Sequence, residues 1–181
     1  MGQSAADSSA LICSSDPVTF IVPGEPLGWA RTRPRFRPKP GAANLYFTPY
    51  KQRQYAATIG WKAKDAMRAR AWLTGPLMLR VAALFTWPVN TSKRERARPF
   101  AFWKVTKPDW DNLGKLVSDA CNKIVYKDDA QVCDSRIIKG YSDKPGLYVT
   151  IEQANSNMDA LAMEWRGVIT EEEYRRAMGL I

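Results

Sequence analysis

A chain of 181 residues with 45% hydrophobic and 25% charged content is long enough for one domain with a buried core. It contains no histidine, which excludes Ser-His-Asp and Cys-His catalysis, H-E-x-x-H zinc sites and histidine-based nucleases. Its net charge of +9 is uneven: residues 1–108 carry 18 Lys and Arg against 5 Asp and Glu, residues 109–181 carry 9 against 13. A basic first half suits a polyanionic partner, with an ordinary solvated basic surface as the alternative. Cys13, Cys121 and Cys133 are odd in number and form no C-x-x-C pair, so a disulfide framework or a four-cysteine zinc site is not expected. The apolar run Leu77 to Leu84 is interrupted by Arg80 and too short to span a bilayer, and the first residues make a poor signal peptide. A cytoplasmic protein without membrane contact is expected.

In chain order, residues 1–16 are rich in Ser, Ala and Asp and are expected to form a disordered tail. Val18 to Val22 reads as a strand ended by Pro23-Gly24. The proline-rich stretch 23–47 places Arg31, Arg33, Arg35 and Arg37 at alternate positions, one row of an extended segment, beside Trp29, Phe36, Tyr46 and Phe47. Arginines among aromatics suit a nucleic-acid groove. Thr48-Pro49 should open a helix running to about Trp72, with Ala56, Ile59, Ala63, Ala66 and Met67 as its apolar stripe. Leu77 to Thr86 reads as a buried strand, followed by a long basic connection from Pro88 to Lys107. Ser135 to Lys139 and Leu147 to Glu152 are expected to pair across a Gly/Pro/Asp turn. Residues 156–181 should form a helical hairpin, with a capping box at Thr170 and Glu173.

The stretch from Lys107 to Lys139 concentrates acids. Asp109 and Asp111 are two apart, where an extended stretch would point both the same way, and Asp111 then opens a helix. Leu113, Leu116, Val117 and Ala120 give that helix an apolar face, while Lys115 and Asp119 follow Asp111 by four and eight residues on another. Asp128 and Asp129 form a second pair. Clustered carboxylates repel unless a cation lies between them, and an all-oxygen set suits Mg²⁺, with Mn²⁺ as the alternative. Such an ion supports phosphodiester hydrolysis, with Lys115 stabilising developing negative charge. Singly, each residue has a plainer role: Asp111 as a helix cap, Lys115 and Asp119 as a surface pair, Asp128-Asp129 as a turn.

The ordered run Pro108-Asp109-Trp110-Asp111-Asn112-Leu113-Gly114-Lys115, then Asp119-Ala120, then Asp128-Asp129-Ala130-Gln131-Val132, resembles the RusA-type Holliday junction resolvases of bacteria and their phages. The resemblance implies a small α+β fold, a mixed sheet with packed helices, over residues 17–155, with 156–181 as a helical extension outside the pattern. It implies a homodimer that binds branched DNA at four-way junctions and makes paired cuts with Mg²⁺. By motif, Asp109, Asp111 and Asp129 match the metal-binding carboxylates, Lys115 a functional lysine and Asp128 an adjacent acidic position; all five are candidate catalytic residues. Arg31, Arg33, Arg35, Lys107 and Lys139 are the candidate DNA contacts. The competing readings are a non-catalytic nucleic-acid-binding module with a structural acidic cluster, a nuclease acting on RNA or simple duplexes, and an adaptor working through the C-terminal hairpin.

Overall fold

Alternation of buried and exposed residues builds the sheet. In β1 (Val18–Pro23), Val18, Phe20 and Val22 are buried and their neighbours face outward. The same alternation places Leu77, Leu79, Val81, Ala83 and Phe85 of β4 (Leu77–Thr86) and Leu147, Val149 and Ile151 of β6 (Gly146–Gln153) on one inner face. These observations come from a computed structural model that describes residues 16–29, 33–34, 46–47, 49–98 and 101–154. The expected tail before Asp16, the hairpin at 156–181, and Arg31 and Arg35 lie outside the described residues. Arg33 and Pro34 form β2, paired with β3 (Tyr46–Phe47).

The main sheet has the order β1-β6-β4-β5, with β5 spanning Val132–Ser142. β1 and β4 each run antiparallel to β6, while β5 runs parallel to β4. The fold is therefore α+β with a mixed sheet, as expected, but β6 does not pair with β5. The apolar β4 takes the central position, and residues 143–145 step across its end from one neighbour to the other. Two strand spacings are about 10 Å, within reach of a three-residue link.

Two helices cover the inner face. α1 (Tyr50–Met67) buries Ile59, Gly60, Ala63 and Met67 against β1 and against α3 (Trp110–Cys121), which also packs on β5. α1 stops at Met67, short of the expected Trp72. Arg68 turns left-handed (φ 45°), its N–H donates to the Asp65 carbonyl, and Ala69 follows at φ 62°. The turn lets Leu73 enter the core, where its N–H donates to Val125 O at 2.8 Å. The long connection after β4 holds a four-residue helix, α2 (Lys93–Arg96), and then runs along the edge of β5. There Tyr141 N–H donates to Phe102 O (2.8 Å) and Lys104 N–H to Lys139 O (3.2 Å), which shields an otherwise open strand edge. No helix among the described residues is long and apolar enough to cross a membrane.

Candidate active site

The start of α3 is fixed by three neighbours. Lys139, half-buried on β5, donates from Nζ to the carbonyls of Thr106 (2.9 Å) and Pro108 (2.7 Å). Trp29 N–H donates to Asn112 O at 3.1 Å. Gly28 lies so close to Pro108 that a Cβ there would collide with the proline ring, and Gln52 Nε2 donates to Gly28 O at 3.1 Å. The peptide between Lys107 and Pro108 is cis.

Within α3, Leu113, Gly114, Leu116, Val117 and Cys121 turn inward. Asp111, Lys115 and Asp119 follow one another at four-residue intervals, and Lys115 Nζ approaches Asp119 Oδ2 at 3.7 Å. The N-cap is Asp109, in extended conformation (φ −72°, ψ 152°), and Asp111 lies inside the first turn rather than opening the helix. The Asp109 carboxylate does not cap the helix. Neither the Asp109 nor the Asp111 side chain makes a hydrogen bond or ion pair among the described residues, and both are exposed. Trp110, between them, is 61% exposed.

The second acidic pair is organised differently. Tyr126 is fully buried and donates from its hydroxyl to Ser118 O at 2.9 Å, which ties the chain after α3 back onto the helix. Burial pushes the Tyr126 phenol well above its ordinary range; the Ser118 hydroxyl, 3.3 Å from the phenol oxygen, opposes this, and the charges of Asp129 and Asp119 add to it. Asp128 caps a 3-10 turn (Asp129–Gln131), its Oδ1 accepting from Ala130 N–H at 2.9 Å. Gln131 closes the box: its Oε1 accepts from Lys127 N–H (3.1 Å) and Asp128 N–H (3.2 Å). Its Nε2 donates to the carbonyls of Leu73 (3.3 Å) and Gly75 (3.2 Å). The Asp129 carboxylate is left without a hydrogen bond or ion pair among the described residues.

Asp109 and Asp111 thus share one turn, and Lys115 and Asp119 form a pair along the same helix. Asp129 stands elsewhere, at the level of Ser118 and Tyr126. Nine residues of helix separate Ser118 from Asp109, a rise of about 13 Å. Among the described residues no three acidic, Cys or His side chains gather to hold a metal ion. Asp109 and Asp111 lie at the start of α3, and Asp129 begins the 3-10 turn that follows that helix. Of the expected DNA contacts, Lys107 is exposed beside Asp109, whereas Lys139 is committed to the loop that carries Asp109. Gly28, Tyr126 and Gln131, which position the acids, did not stand out in the sequence. Of the three, Gln131 left a trace, as the last residue of the D-D-A-Q run that caps the turn.

Residues 23–152 match the family described as Endodeoxyribonuclease RusA. The chain is also similar to "Uncharacterized protein YqaN" of Bacillus subtilis (strain 168), at 33% identity over 145 residues, covering 78% of this chain and 99% of that relative. The match spans β4, β5 and all but the last residue of β6, both packing helices and every acid of the site, so the chain belongs to the RusA endodeoxyribonuclease family.

Proposed function

We propose that the chain is a Mg²⁺-dependent, structure-specific endodeoxyribonuclease that resolves four-way DNA junctions by paired cuts in recombination and repair, acting as a homodimer. The observation that carries this reading is the state of the acids in the family motif. Asp109, Asp111 and Asp129 are withheld from internal bonds, Asp109 even at a cap position where its side chain would ordinarily bond the helix. The exposed Asp109 and Asp111 carboxylates and the half-buried Asp129 carboxylate suit a hard cation that keeps several waters. When bound, Mg²⁺ supplies a polarised phosphate and an activated water.

Asp109 and Asp111 lie together at the start of α3, and among the described residues no third acid completes a metal-holding group. On this reading the third carboxylate comes from a second copy, so that dimerisation and metal binding are one requirement and two symmetric sites make two symmetric nicks. Lys115, one turn below Asp111, places an exposed ammonium where charge develops on the phosphate or leaving oxygen. Lys107 approaches the phosphate from the other side of Asp109. Lys139 and Gly28 fix the loop between them.

Asp111→Asn tests the assignment. It should abolish cutting while junction binding, measured in EDTA, stays equal or tightens, because a negative charge near phosphate is removed. Cutting that persists in Asp111→Asn would refute it.

A further inference from the structure

The first part of the connection between β4 and α3, up to Lys104, is not used by the nuclease reading, yet it is firmly built. Its side chains stack in alternation. The Arg96 guanidinium lies 5.2 Å from the Trp87 ring centroid, and the Trp87 and Tyr141 rings stack at 5.2 Å with 28° between planes. The Lys104 ammonium lies 5.5 Å from the Tyr141 ring and 4.8 Å from that of Phe85. Arg96 also donates to Asp143 Oδ1 at 2.7 Å and to Thr91 O at 3.3 Å. Ser92 and Glu95 close a capping box around α2, with Ser92 N–H donating to Glu95 Oε2 at 2.7 Å. A four-residue helix has no stability alone, so these contacts are what hold it at the end of the sheet.

The cations divide by task. Arg96 and Lys104 are committed to the stack. Lys93 and Arg94 on α2, and Arg98 just after it, are exposed. Lys93 and Arg94 make no hydrogen bond or ion pair among the described residues, and Arg98 has only a longer-range attraction to Glu95. Three positive charges at fixed spacing are what a phosphate backbone requires. Beside them opens a cavity of about 470 Å³ lined in part by Arg98 itself, by Asn90 and Thr91 as further donors, and by Glu95, whose carboxylate is held by Ser92. The stack also reaches the site: Lys104 bonds Lys139 O, and Lys139 holds Pro108 next to Asp109.

We propose that Lys93, Arg94 and Arg98 form a second phosphate contact that grips a duplex arm of the DNA away from the cut, with Trp87 and Arg96 as positioning residues. This rests on the reading that the substrate is DNA. The test uses the full chain and a synthetic four-way junction in EDTA, with affinity measured between about 50 and 200 mM salt. Lys93→Gln/Arg94→Gln/Arg98→Gln should weaken binding at least about ten-fold at low salt and lower the slope of log K against log salt by up to about 2.7. Turnover at saturating junction with Mg²⁺ should stay within about two-fold, since no reacting group is touched. Trp87→Ala keeps every cation but frees the turn, and should weaken binding by about three-fold or more at unchanged circular dichroism.

Lys51→Gln/Lys62→Gln/Lys64→Gln, on α1, makes the same charge change elsewhere. Equal losses from the two triple variants would overturn the proposal, as would a normal slope in the first. A wild-type chain that binds no DNA would instead overturn the nuclease reading, and this proposal with it; tight binding to an acidic protein alone would do the same.

Discussion

Asp128 and Asp129 are neighbours of identical chemistry with different tasks. Asp128 lies at φ −148°, ψ 138°, which aims its carboxylate at the Ala130 N–H, while Asp129 begins the 3-10 turn and keeps its carboxylate unbonded. Asp128→Ala should therefore cost about 1 kcal/mol of stability in urea denaturation while leaving much of the cutting. Asp129→Asn should abolish cutting with stability unchanged. The reverse ranking would move the metal-binding role to Asp128. By type and spacing alone the Asp128-Asp129 pair reads as two like acids in a turn, and only the family motif sets Asp129 apart from Asp128. Which of them caps depends on backbone angles that Tyr126 and Gln131 impose from a distance. Lys139 shows the same limit: its charge suggested DNA, whereas two carbonyls of a loop 31 and 33 residues away in sequence claim its ammonium.

At the scale of elements, the site depends on how α3 is seated. Gly28 abuts the Pro108 ring, a rigid neighbour that cannot swing aside as a long side chain would. Gly28→Ala should displace the Lys107–Asp109 loop, costing about 1–3 kcal/mol in denaturation and lowering cutting by about ten-fold or more, because misplacement by about 1 Å is already expensive in catalysis. Unchanged activity would show that the loop is not positioned from this side. β4 could be read from its sequence, and β1 nearly so, because alternation within a strand is a local signal. α3 followed likewise from Leu113, Leu116 and Val117. The partner of β6 could not, since strand order is settled by which strand most needs two neighbours. The end of α1 was missed because the docking of Leu73 against Val125, not local propensity, stops the helix.

The molecule as a whole keeps its buried ionisable groups neutral. Burial pushes the Cys121 thiol from 9.0 up to about 12 and the Tyr55 phenol from 10.0 up to about 12, and raises Tyr126 further. Each stays protonated in the folded chain at a pH where the unfolded chain has released its proton. Their contribution is complete below about pH 9 and declines as pH rises towards 12, so urea midpoints should fall between about pH 8 and about pH 10.5. A midpoint that rose over that interval would contradict this burial. At the same scale, the proposed dimer would carry two sites related by symmetry, which suit a substrate with two equivalent strands. The most direct measurement is cleavage of a synthetic four-way junction beside a linear duplex of the same sequence, with Mg²⁺ and with EDTA. Symmetric paired nicks confined to the junction and dependent on Mg²⁺ are the predicted result; equal cutting of both substrates, or cutting in EDTA, would contradict a metal-dependent junction resolvase.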